Sequence, residues 1–231
     1  MKKNLTELVF ILDRSGSMSG LEKDTIGGFN SLIEKQKNEP GEATITTVLF
    51  DDQHELLHDR INLKGVNPIT SNEYFVRGST ALLDAIGCTI EKIKNVQNST
   101  AEEERAENVM FIITTDGQEN ASREYRIDKI KSMIEEQKEK YGWEFLFIGA
   151  NIDAVETASR FGISRDRAVK YSHDPYGVEA KYRAMERAVS SVRKSEHLGS
   201  DWKKELEKGK QDNKTERKGI FSRLKIKTGK K

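Results

Sequence analysis

The sequence predicts an α/β fold: three layers around a doubly wound, mostly parallel sheet with one antiparallel edge strand. Runs of β-branched and aromatic residues alternate with stretches of helical period along the chain. Leu8 to Leu12 is a continuous apolar run, as strands buried on both faces are, and Val109 to Thr114 reads as another fully buried strand. Thr44 to Phe50 and Glu55 to Leu63 are joined by so few residues that they must pair as a hairpin, which gives the antiparallel edge.

The remaining elements follow from spacing. Ser19 and Glu22 have capping-box spacing before a helix whose stripe is Ile26, Phe29, Leu32 and Ile33, ending near Lys37. Leu82, Leu83, Ile86, Ile90 and Ile93 line a second helix, and Ile127, Ile130, Met133 and Ile134 line a third over Tyr125 to Lys140. Trp143 to Ile148 reads as a strand and Ala168 to Tyr171 as a short last one. Asp153 and Glu156 open a short helix that stops near Gly162. Asp174 before Pro175 is a helix start, with an acceptor at the N-cap and then a residue that has no donor to lose. Val178, Tyr182, Met185, Val189 and Val192 line that final helix.

The chain has 231 residues, with 39 basic and 38 acidic side chains, one cysteine and three prolines. That length supports a core without disulfides or a structural metal. The lone Cys88 excludes a disulfide framework and cysteine-based zinc knuckles. The near-neutral balance hides an asymmetry. Residues 198–231 carry 12 basic and 5 acidic side chains, a net +7, leaving 27 basic and 33 acidic, a net −6, in residues 1–197. The expected organisation is a domain over 1–197 and a basic, partly disordered tail over 198–231. In the tail, Ile220, Phe221 and Leu224 among arginines and lysines offer a contact for an acidic partner, nucleic acid or membrane, and a solvated tail is the plainer expectation. At the amino terminus two lysines precede an apolar run, but Glu7 interrupts it and no small-residue cleavage site follows. The expected location is cytoplasmic.

The chemistry concentrates at two strand ends. Asp13, Ser15 and Ser17 form a D-x-S-x-S string leaving one buried strand, and Asp116 in TTDG leaves another. Open parallel sheets bind ligands outside such ends. Acidic side chains there need a partner, and a hard divalent cation with oxygen ligands supplies one. The two serine hydroxyls add neutral oxygens from alternate residues of one loop.

These residues, with Thr80 in RGSTALLDAI, resemble the metal-ion-dependent adhesion site of von Willebrand factor type A domains. The resemblance covers about residues 5 to 195, and the whole chain is similar to stand-alone bacterial and phage-borne members, some of which accompany tellurium-resistance and other stress genes. It implies a Rossmann-like fold and no enzymatic activity. It further implies Mg2+ or Mn2+ touched by Ser15, Ser17 and Thr80, with Asp13 and Asp116 acting largely through water. A protein partner's Asp or Glu would take the open position. The rival class is a magnesium-dependent phosphosignalling or phosphatase-like domain. Such a domain needs an aspartate free to attack phosphorus and a nearby lysine; Ser15 stands where a second acid is expected, and TTDG has no adjacent lysine.

Other residues have plainer expectations. Asp51 and Asp52 read as hairpin-turn residues, and Asp84 as a capping or supporting group. His54 and His58 lack a third zinc ligand and read as solvated edge-strand histidines; His173 reads as a loop residue and Cys88 as a small buried hydrophobe. Gly27 and Gly28 lack the Lys-Ser/Thr of a phosphate loop, and no G-x-S-x-G elbow occurs.

Overall fold

The structure, a computed structural model, describes residues 1–207. Strands β1 (Lys2–Asp13), β2 (Glu42–Phe50), β3 (His54–Asn62), β4 (Ala106–Thr115), β5 (Glu144–Gly149) and β6 (Ala168–Lys170) form one sheet in the order β3-β2-β1-β4-β5-β6. All neighbours are parallel except the β2–β3 hairpin. The helices are α1 (Glu22–Lys37), α2 (Leu82–Ser99), α3 (Ile127–Tyr141), α4 (Ala154–Arg160) and α5 (Pro175–Arg193). The expected doubly wound architecture with one antiparallel edge is the one observed.

Period-2 alternation divides β1 between two cores. Leu8, Phe10 and Leu12 pack with α1 and α5, whereas Val9 and Ile11 pack with α2 and α3. Both faces are covered, so the strand is continuously apolar. Close approach of α1 to α5 depends on Gly28, where a Cβ would lie 2.1 Å from the Tyr182 ring. The chain winds outward from β1 to β2 on one side and to β4 on the other. The carboxyl ends of β1 and β4 therefore flank the topological switch point.

Several expectations need correction. Ser19 does not cap α1: it closes a 3-10 turn over Gly16–Met18, and Glu22 accepts from the Gly20 amide instead. By contrast Asp153 and Asp174 do cap, accepting from the Glu156 and Gly177 amides at 3.0 and 2.7 Å. His58 is not solvated. It is buried, with Nδ1 3.0 Å from Thr47 Oγ1 and its ring stacked on Phe29, and burial pulls its pKa down. Cys88 is only half-buried, with Sγ 3.8 Å from a Glu124 carboxylate oxygen.

The boundary after His197 also moves. Leu198, Trp202 and Leu206 are buried in the α1–α5 core, Trp202 Nε1 donates to Asp166 O at 3.0 Å, and Lys203 Nζ donates to Arg165 O and Ala168 O. Net charge marked a change of composition there and missed apolar residues spaced four apart. The expected tail contacts of Ile220, Phe221 and Leu224 lie outside the described residues. Among the described residues no helix is long and apolar enough to cross a membrane.

Candidate metal centre

Asp13 closes β1 and Thr115 closes β4, the strand beside it. The Asp13 carboxylate is buried and fully engaged. Its Oδ1 accepts from the Ser15 amide at 2.7 Å, and its Oδ2 accepts from Thr115 Oγ1 at 2.6 Å and from the Asp116 amide at 3.4 Å. The Asp13 carbonyl accepts from the buried Tyr74 hydroxyl at 2.6 Å. Ser15 and Ser17 share a hydroxyl contact of 2.9 Å, and Ser17 Oγ donates to Asp116 Oδ1 at 2.5 Å.

Thr80 reaches the same place from the long loop between β3 and α2. Backbone bonds from Arg77 to Arg14 O, from Gly16 to Gly78 O and from Ala81 to Asp51 O stitch that loop to the rim. Gly78 sits at φ +64, where a Cβ would collide with Asp52 Oδ1. Asn120 holds Thr80 from the other side: Thr80 N donates to Asn120 Oδ1 at 2.9 Å, and Asn120 N donates to Thr80 O at 3.1 Å. A Cβ on Gly117 would lie 3.0 Å from Thr80 Oγ1 and 3.1 Å from Ser17 Oγ. Two hydroxyls thus border the small space over Gly117. The structure brings Asp13, Ser15, Ser17, Thr80 and Asp116 to one rim.

Asp51 is not a simple turn residue. It is buried and accepts at Oδ2 from Nε of both Arg14 (2.9 Å) and Arg77 (2.7 Å). Arg14 is itself fully buried, pairs with Glu55 at 2.8 Å, and lies with Arg77 against the Phe75 ring. This cluster fixes the loop that delivers Thr80. Asp84 has the supporting role expected of it, accepting from the amides of Arg123, Glu124 and Tyr125. Glu119 returns the clasp by accepting from Leu83 N at the start of α2.

The electrostatics are those of a site short of positive charge. Burial pushes the Asp13 carboxyl up, and burial together with the Asp13 charge does the same to Asp116. The buried Lys181 on α5 lies within the electrostatic reach of both carboxylates. It is buried between the Tyr171 and Tyr182 rings, 4.7 and 4.9 Å from their centroids, and burial pulls its pKa down to about 8. His173 was expected to be an unremarked loop residue, yet its Nδ1 is 3.0 Å from Asp116 Oδ2. The two atoms are misaligned, so buried Asp116 Oδ2 has no hydrogen bond. Among the described residues no three His, Cys, Asp or Glu side chains cluster as a ligand set. A cation here must therefore use hydroxyls beside two carboxylates. The orphaned Asp116 oxygen and the hydroxyl-lined space at Gly117 fit a small, hard divalent ion.

No protein-family model and no curated protein sequence matches the chain. Solved structures do. A von Willebrand factor type A protein from Catenulispora acidiphila superposes with a TM-score of 0.55 at 14% identity, covering 80% of this chain and 42% of that one. The fold is that of a von Willebrand factor type A domain. Manganese-loaded Plasmodium vivax TRAP protein gives 0.56 at 17% identity, covering 78% of this chain and 72% of that one. Proximal thread matrix protein 1 from the mussel byssus, with a zinc-occupied MIDAS motif, gives 0.53 at 14%, covering 80% and 46%. This chain thus spans about half the length of the mussel and Catenulispora proteins it matches.

Proposed function

We propose that this chain is a non-enzymatic, metal-dependent protein-interaction module. In this reading Ser15, Ser17 and Thr80 hold Mg2+ or Mn2+ directly, Asp13 and Asp116 hold it largely through water, and a partner's Asp or Glu completes the shell. The observation that carries the reading is the convergence of the Ser17 and Thr80 hydroxyls on the space at Gly117, beside an Asp116 oxygen without a hydrogen bond. The manganese and zinc carried by two proteins of the same fold support it. When bound, the cation supplies a Lewis-acidic position that accepts an oxygen from outside the chain.

The chain's own groups set what that oxygen can be. Asp13 and Asp116 together balance a divalent charge, leaving room for a single carboxylate where a dianion would overcompensate. The buried Lys181, coupled to both by charge, adds a positive field that favours an anionic ligand. Setting in a cytoplasmic, bacterial or mobile-element stress system, including tellurium resistance, belongs to the same proposal and rests on the sequence resemblance alone.

One observation favours the phosphosignalling alternative: Lys181 supplies the lysine that the TTDG neighbourhood lacks. Its ammonium is buried under two tyrosine rings, however, and both Asp13 oxygens are engaged by hydrogen bonds, which blunts Asp13 as a nucleophile. The test is to capture the partner on immobilised full chain. Capture should be lost in chelator and with Thr80→Ala, and should depend on a partner Asp or Glu in an acid-to-amide scan. Association that persists in chelator, or transfer of phosphate from acetyl phosphate to Asp13, would overturn the proposal.

A further inference from the structure

His173 stands in the loop between β6 and α5, and the chain pins that loop from both sides. Tyr171 N donates to Gly149 O at 2.9 Å, Asp174 N donates to Ser172 O at 2.9 Å, and Asp174 Oδ1 caps α5. A Cβ on Gly177 would lie 1.9 Å from Ser172 O, so the helix start closes tightly on the loop. Packed backbone therefore places the imidazole, which is 27% exposed, with Nδ1 3.0 Å from Asp116 Oδ2.

Atoms that close are normally joined by a hydrogen bond. Here neither Asp116 Oδ2 nor His173 Nδ1 has one, because the ring nitrogen is not aimed along the line between them. Two donor atoms bound side by side to one octahedral ion stand in this relationship: with bonds of about 2.1 Å they lie about 3.0 Å apart, each aimed about 45° off the line to the other. The Ser15 and Ser17 hydroxyls keep nearly the same spacing, 2.9 Å. Neither Asp116 Oδ2 nor His173 Nδ1 is open to water, but a cation bonded at about 2.1 Å needs less room than a water at about 2.8 Å.

We propose that His173 is a further ligand of the cation, with His173 Nδ1 and Asp116 Oδ2 in adjacent positions of one octahedral shell, and that its imidazole makes the site select Zn2+ over Mg2+. The inference rests on the metal reading above and refines it in one respect: Asp116 bonds the ion through Oδ2 and not through water. Ser15, Ser17, Thr80, Asp116 and His173 then supply five donors and leave the sixth position to the partner's carboxylate. Asp13 stays outside the shell, since both its oxygens already accept hydrogen bonds. Imidazole suits zinc and its neighbours in the transition series, whereas magnesium favours carboxylate and water oxygens.

Pulsed EPR of Mn2+ on the full chain reads whether nitrogen is bound to the ion. The wild type should show coupling to a single nitrogen, altered by 15N-histidine labelling and lost in His173→Ala; the label reads the bond without any substitution if that variant fails to fold. Displacement of the bound Mn2+ by Zn2+ and by Mg2+ then reports selectivity at this site alone, although the chain has four histidines. The Zn2+ to Mg2+ preference should fall at least about tenfold in His173→Ala, since loss of an outer-shell partner alone costs about 10- to 100-fold in metal affinity. Bound Mn2+ with no histidine nitrogen coupling, or an unchanged preference in His173→Ala, would overturn this inference, leave His173 as an ion-pair partner of Asp116, and leave the metal-dependent module standing. Failure of Mn2+ to bind at all would overturn both.

Discussion

Thr115 Oγ1 donates to Asp13 Oδ2 at 2.6 Å, so the carboxylate that ends one strand is held by the last residue of its neighbour. This bond helps fix the Asp13 rotamer. Thr115→Val keeps the shape and removes the donor. It should cost about 1–3 kcal/mol of stability, because a buried carboxylate oxygen loses its hydroxyl donor, and should weaken metal binding about 10- to 100-fold. Thermal melting and calorimetric titration check the two effects separately.

Gly117→Ala tests the space bordered by Thr80 and Ser17. The added Cβ would stand 3.0 and 3.1 Å from their hydroxyl oxygens and push them apart. Metal affinity should fall at least about tenfold, a change of 1.4 kcal/mol, while the melting temperature without metal barely changes. Titration of both proteins with manganese decides the matter.

Lys181→Met should act in the other direction. Removing the buried ammonium takes a positive charge out of the field of Asp13 and Asp116, so the variant should bind magnesium severalfold more tightly in calorimetry.

The strand ends were legible because Asp13 and Asp116 each terminate an apolar run, a local pattern. The residues that hold them in place were not. Asn120 and Asp51 lie tens of residues from Thr80 and Arg14, which they hold, and nothing in the sequence around Asp51 or Lys181 marks either as buried. The fold class was readable from period alone, since strands covered on both faces lose their alternation. His58 was misjudged because edge strands usually face water, whereas one side of β3 turns onto Phe29. A signal for the packed segment did exist: Leu198, Trp202 and Leu206 repeat every four residues, but a boundary drawn on net charge passes over it.

Truncation after His197 should therefore destabilise the domain. Losing three buried apolar side chains, at roughly 1.5–3 kcal/mol each, should lower the melting temperature by about 10 °C or more. Differential scanning calorimetry of the shortened and full chains compares them directly.

The buried imidazole of His58 gives a pH dependence. Its folded pKa lies below the unfolded value of about 6.5 because burial disfavours the cation. The unfolded state then binds more protons in that window, so stability should fall as pH drops from about 7 toward the folded pKa. His58→Gln, which can still bond Thr47, should flatten this part of the profile when melting is followed from pH 7.5 to 5.5.

The most direct test of the central claim is calorimetric titration of Mn2+ into the chelator-treated full chain, beside Ser15→Ala and Asp116→Asn variants whose circular dichroism is native. The account predicts one saturable site in the wild type, lost in both variants without loss of fold. Undiminished affinity in either variant, or no saturable binding by the wild type, would contradict it.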